Sequence, residues 1–233
     1  MSLVDYRRSG GRTPADDERI EIADDGTFAA RRTVGGRAIG DFAGQLPDDE
    51  IDALRAEVAT AAEAGDLAVA TPPDGATEMI AAAGRTAQLG SNEQPGGTWG
   101  PLVERLRRLV ADAVATSPRA ALQLEADSRQ GRLVHAGADP IEVDVASIGV
   151  RLVRLDKDGA VLGRWNAPAA GGLEDDDGPA PADWQTAGPG WSHALPFDHP
   201  LELAPGDWLQ VWVTLTVRSD GLRDGRLFAA VPG

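Results

Sequence analysis

Gly206-Asp207-Trp208-Leu209-Gln210-Val211-Trp212-Val213-Thr214-Leu215-Thr216-Val217 is the stretch on which the fold turns. From Trp208 onward it alternates with period two. Leu209, Val211, Val213, Leu215 and Val217 point one way; Trp208, Gln210, Trp212, Thr214 and Thr216 point the other. Such alternation predicts a long β-strand with one face for a core, and the second face is itself half apolar. Pro205-Gly206 predicts the turn that leads into it.

Working outward, the rest of the second half repeats the pattern in shorter pieces. Ala121–Ala126, Arg132–His135, Ile141–Val145, Val150–Leu155, Val161–Trp165, His193–Phe197 and Leu227–Val231 all read as strands, with a turn at Asp156-Lys157-Asp158-Gly159. The stretch 166–190 is rich in Gly, Pro, Ala and Asp and reads as a long loop. Short strands with turn signals at this spacing predict an all-β, immunoglobulin-like antiparallel sandwich over 118–233.

The first half reads differently. Arg19–Ala23 and Phe28–Thr33 flank Asp24-Asp25-Gly26-Thr27, a hairpin signal, and Leu3–Arg7 and Arg37–Phe42 add strands. Pro47-Asp48-Asp49-Glu50 opens a helix, with Pro47 expected at the first helical position and acids in the first turn. Ile51, Leu54, Val58, Ala61 and Ala62 form its apolar stripe, and Gly65 stops it. A second hairpin is expected over Thr77–Leu89. A second helix from Gly100-Pro101 buries Leu102, Leu106, Leu109, Val110 and Ala113 and leaves Glu104, Arg105, Arg107, Arg108 and Asp112 in water. The expectation is an α+β domain over 1–117, ended by Ser117-Pro118.

Composition narrows function. The 233 residues carry a formal charge of −15, with Lys157 the only lysine. A nucleic acid or an anionic membrane surface needs clustered positive charge, so neither is expected as a partner. The absence of cysteine excludes disulfides, thiol catalysis and cysteine-zinc sites, and suits a reducing compartment. No signal or membrane-spanning pattern is present, so the expected location is cytoplasmic.

Catalytic patterns are missing. His193, Asp198 and His199 could form a two-histidine, one-carboxylate set only after folding, and no HExxH pattern exists. Glu174-Asp175-Asp176-Asp177-Gly178 fails the spacing of a calcium loop. Ser192 and His193 are adjacent in a strand and point apart, so neither can activate the other. No phosphate-cradling glycine motif occurs. No cofactor, metal or catalytic residue is therefore expected, and the chain reads as non-enzymatic. Trp165, Trp191, Trp208 and Trp212 cluster in the strand-rich half, and Trp208 and Trp212 share one strand face. Three readings stay open for them: burial, an exposed face for a protein partner, or a sugar platform.

Tyr6-Arg7-Arg8-Ser9-Gly10-Gly11, the strand–Asp-Gly–strand unit over Ile20–Arg32, and Leu46-Pro47-Asp48-Asp49-Glu50 entering a helix resemble the emfourin family, small bacterial proteins whose named member inhibits a thermolysin-like metalloprotease. The likeness covers about half of the chain. The second half is similar, more faintly, to immunoglobulin-like intracellular proteinase inhibitors, through Asp158-Gly159, Val161 to Trp165 and Leu201–Asp207. These resemblances imply a protein-binding protein, in its sharpest form a protease inhibitor or regulator that occludes the cleft of a protease, which could be a metalloprotease. The Gly10–Asp16 or the Asn166–Pro189 loop would be the inserted part. The alternative is a structural or adaptor subunit of a larger bacterial assembly. Candidate partner-binding residues are Ser9, Gly10, Gly11, Arg12, Trp208 and Trp212.

Overall fold

A computed structural model of the chain describes residues 2–10, 16–34, 36–70, 75–90, 97–167, 181–197, 203–219 and 222–233. The molecule is β-rich, with two α-helices among the described residues. It divides into two compact units. The first comprises Met1–Val34 and Asp41–Arg119, the second Gly35–Gly40 and Ala120–Gly233. The expected division at 117/118 did not foresee that 35–40 group with the second unit.

In the first unit, β1 (Ser2–Gly10), β2 (Asp16–Ala23) and β3 (Thr27–Val34) form a meander, followed by β4 (Ala38–Gln45), whose first residues belong to the second unit. After α1 (Asp48–Ala64) come β5 (Leu67–Ala68), β6 (Ala76–Ala82), β7 (Arg85–Gly90) and α2 (Gly100–Thr116). The strands lie in the order β3-β2-β1-β6-β7-β5, antiparallel except for β5 against β7. The β2–β3 turn closes because Gly26 takes φ +84° and the Asp25 carboxylate accepts from the Thr27 amide at 3.0 Å and its hydroxyl at 2.6 Å. Those bonds hold the Asp25 carboxyl below the usual range. Ala83 (φ +47°) and Gly84 (φ +74°) give the β6–β7 turn two consecutive left-handed residues, as a tight hairpin requires.

Pro47 caps α1 rather than entering it, with ψ at 152°, and Asp48, Asp49 and Glu50 fill the first turn. Proline is suited to this position because it has no amide hydrogen to leave unsatisfied. Gly65, at φ +79°, ends the helix. Both helices turn their apolar stripes inward. Leu54, Leu102 and Leu106 are fully buried, and each such side chain contributes about 2 kcal/mol. Trp99, just before α2, is buried and donates its indole N–H to the Gly65 carbonyl at 3.0 Å.

The second unit holds β8 (Pro118–Ala126), β9 (Gln130–Gly137), β10 (Ile141–Leu155), β11 (Val161–Ala167), β12 (Trp184–Ala187), β13 (Ser192–Pro196), β14 (Trp208–Ser219) and β15 (Leu222–Pro232). One antiparallel set runs β8-β9-β13. The other runs β10-β14-β15, with β11 and β12 both pairing β10 along its remaining edge. The two sets share one hydrophobic cluster. Leu122, Leu124, Leu133 and Leu195 come from the first, and Val143, Leu152, Val211, Val213, Leu227 and Ala229 from the second.

Three expectations are corrected here. The strands predicted over Ile141–Val145 and Val150–Leu155 are one strand, with a register shift between Asp144 and Gly149. Ser147 bridges the shift: its hydroxyl donates to the Asp144 carbonyl and accepts from the Thr216 amide, both at 2.7 Å. The loop predicted over 166–190 contains β12, because Trp184–Ala187 pairs with Ile141–Asp144 and Ala187 enters the core. Residues 168–180 of that stretch, with the Glu174–Gly178 acidic run, lie outside the described residues. Third, residues 36–40, which lie ahead of the first helix in the sequence, lend Ile39 to the second unit's core. The Gly36 carbonyl accepts from the Phe228 amide at 2.8 Å, and the Arg37 carbonyl from Leu124 at 2.7 Å.

Candidate functional site

The strand that opened the sequence reading behaves as its alternation requires. Leu209, Val211, Val213, Leu215 and Val217 are buried, while Trp208 is 44% exposed and Gln210, Trp212 and Thr216 are half-buried. Residues directly opposite one another on paired strands share a face. The register therefore lays out the outward face of the β11-β10-β14-β15 sheet in rows. The first row is Val161, Leu155, Trp208, Pro232; the second is Arg164, Val153, Gln210, Ala230. The third is Asn166, Arg151, Trp212, Phe228, and the fourth Gly149, Thr214, Arg226. The first row is wholly apolar, and Val161 at 48% is slightly more open than Trp208. Trp212 leans on Phe228, with ring centroids 4.4 Å apart and planes tilted 44°.

Arg151, Arg164 and Arg226 are exposed on this face, and among the described residues none of them is held in an ion pair. The arginine that is held lies on the opposite side. Arg154 and Asp207 form a close, largely buried pair, with Nε to the carboxylate at 2.8 Å, and the bonds from Arg154 keep the Asp207 carboxyl below its usual range. The pair fixes the start of β14 and hence the place of Trp208.

The remaining tryptophans are structural. Trp165 and Trp191 pack partly buried against the core. Trp191 stacks on His193, with centroids 6.2 Å apart, and burial lowers the His193 pKa. Trp184 lies under the Arg218 guanidinium, 3.8 Å from its ring centroid.

In the first unit, the charges between the helices and the sheet are engaged internally. The register places Glu78, Arg8, Glu18 and Arg32 side by side across β6, β1, β2 and β3 on the helix-covered face. Arg32 binds Glu18 at 2.7 Å, and Arg107 reaches down from α2 to the fully buried Glu78 at 2.8 Å. Tyr6 is buried beside them; burial first, then the Glu78 and Glu18 carboxylates, push its pKa up. Arg105 forms bonds of 2.7 Å to both Glu50 and Glu57 of α1, and Arg108 meets Glu50 at 3.1 Å. Arg105 and Arg107 were expected in water and are instead ion-paired, because α1 and β6 present glutamates opposite them. On the outer face of the same sheet, Asp5, Arg7, Arg19 and Met79 line a shallow depression of about 350 Å³, with Arg19 clasped by Asp5.

The other candidate residues fall as follows. Ser9 is half-buried opposite Asp17 and Thr77, and Gly10 is exposed at φ +86° at the end of β1. They belong to the first unit, and Trp208 and Trp212 to the second. Gly11 and Arg12 lie outside the described residues, as do Asp198 and His199. Among the described residues no group of three or more metal-ligating side chains comes together, and no helix is long and apolar enough to cross a membrane. Sequence reasoning missed Phe228, Arg151 and Val161 as neighbours of the two tryptophans. Their signal, strand register, cannot be read from one strand alone. No protein-family model matches the chain, and neither does any curated protein or solved structure.

Proposed function

We propose that the chain is a non-enzymatic protein-binding protein and that its docking surface is the outward face of β11, β10, β14 and β15. The observation that carries this reading is the apolar row Val161–Leu155–Trp208–Pro232, open at Val161, Trp208 and Pro232, beside arginines that hold no ion pair among the described residues. Tryptophan and arginine are the side chains that most often dominate binding energy once water is excluded around them. Two antiparallel strand sets sharing one core also support an immunoglobulin-like sandwich, a scaffold suited to presenting such a face.

The sharper form of the proposal is a protease inhibitor or regulator that occludes a metalloprotease cleft, with the residues between β1 and β2 as the inserted part. The resemblance of the first half to emfourins supports it. The adaptor reading draws on the exposed face itself, which needs no cleft. Two measurements separate them. A thermolysin-like protease is assayed with increasing intact protein and with a variant lacking residues 11–15. Inhibition that disappears in the deletion supports the inhibitor form; full protease activity at high molar excess of intact protein removes it. Affinity capture from the host with wild-type protein and with Trp208→Ala then tests the face: a partner held by the wild type and lost by the variant supports docking there, and identical capture by both refutes it.

A further inference from the structure

We infer that the partner meets this face with an acidic segment that also carries aliphatic or aromatic side chains; the inference rests on the protein-binding reading above. The argument begins with charge. The chain carries 37 acidic and 22 basic residues, yet the four rows contain Arg151, Arg164 and Arg226 and no acid. Asp224, opposite Thr216, lies in the next row beyond Arg226, and three other nearby carboxylates are engaged elsewhere. Asp156 accepts from the Asp158 and Ala160 amides of its own turn at 2.9 and 2.8 Å. Farther along the sheet, Glu142 accepts from the Thr186 hydroxyl at 2.5 Å and Asp144 from the Asp183 amide at 2.8 Å. The end of the face around Arg151, Arg164 and the two tryptophans is therefore left for an outside anion.

Geometry narrows that anion further. Arg164 and Arg151 sit in adjacent rows on neighbouring strands, on either side of the buried Val153, with Trp208 and Trp212 in the next strand. Each arginine thus has an apolar neighbour on the same face, Arg164 beside Val153, Arg151 beside Trp212 and Arg226 next to Phe228, at the spacing of extended chains, about 7 Å between same-face residues and about 5 Å between strands. Guanidinium forks match carboxylates, and the apolar row takes the intervening side chains. A polyphosphate would leave that row unused, and the net charge of −15 would repel its dense charge more strongly than a few carboxylates.

The test uses the full chain and labelled synthetic peptides of about twelve residues. One alternates glutamate with leucine and phenylalanine; in its counterpart lysine replaces glutamate. An oligodeoxythymidine of similar length is the third probe. Fluorescence anisotropy is read at low and at moderate salt. The glutamate peptide is expected to bind, more weakly as salt rises, and to lose about tenfold or more in affinity in R151E/R164E/R226E. Arg85→Glu, on the first unit, should leave it unchanged. If the triple variant melts early, R151Q/R164Q replaces it with the same expected direction. The inference is overturned if the lysine peptide or the oligonucleotide binds as tightly, or if the charge variants bind like wild type. It is also overturned if neither peptide binds and sedimentation shows wild-type dimers that Trp208→Ala disperses. Lysine-peptide binding that Trp208→Ala abolishes removes only the acidic chemistry and keeps the protein-binding reading. Binding of no peptide, with capture unaffected by Trp208→Ala, removes both.

Discussion

Two groups of arginines, one in each unit, are used in opposite ways. In the first unit Arg32, Arg105 and Arg107 are matched with Glu18, Glu50, Glu57 and Glu78 under the helices. In the second, Arg151, Arg164 and Arg226 stand exposed among Trp208, Trp212 and Phe228. A guanidinium that already has its carboxylate organises its own unit and has little to offer a partner. One left open beside aromatic rings retains its donors for an incoming group. Arginine content alone therefore says nothing about binding; what matters is whether the register supplies a glutamate.

This contrast can be broken at several points. The largest effect is expected where the platform itself is rigid. Gly40 has φ +135°, and an added Cβ would lie 2.2 Å from the Ala120 carbonyl oxygen and 2.6 Å from the Ala121 Cα. Backbone atoms cannot step aside cheaply, so Gly40→Ala should cost more than about 3 kcal/mol in chemical denaturation. A smaller loss would mean that the core beneath the exposed face is loosely held. Next is Glu78→Gln, which leaves Arg107 over a fully buried site without its counter-charge. The expected cost is about 3 kcal/mol, read as a lower denaturant midpoint at unchanged slope. The smallest effects belong to the open face. Arg151→Ala should change stability by less than about 0.5 kcal/mol, and Trp208→Ala by about 1 kcal/mol. A large loss in either would show that the face is internally braced after all and would erase the contrast.

Much of the architecture was legible because local signals and tertiary outcome agree. The alternation of β14, the acid-rich entry to α1, the Gly65 stop and the Ala83-Gly84 turn each state their structure within a few residues. What escaped depends on partners distant in sequence. The two-residue β5 has no periodicity to detect and exists through its parallel pairing with Ala87 and Gln88. Trp184–Ala187 is a strand because β10 is long enough to receive it beyond β11. The fate of Arg105 and Arg107 was hidden for the same reason: a helical wheel shows which side of α2 is polar, but not that Glu57 and Glu78 lie across from it. Of the candidate site, Trp208 and Trp212 were visible as a pair, whereas the arginines that frame them emerge only with the register.

The placement of residues 36–40 reaches beyond the folded state. Ile39 is fully buried in a core whose last strand contains Leu227, Ala229 and Val231. At ribosomal speeds those residues follow it by roughly 10–40 s. During that interval a short apolar segment near the front of the nascent chain has no place to settle, and it invites chaperones or premature pairing. The same connectivity frustrates excision, since cutting the polypeptide at one peptide bond between the helices and β8 would strand Ile39 on the wrong fragment.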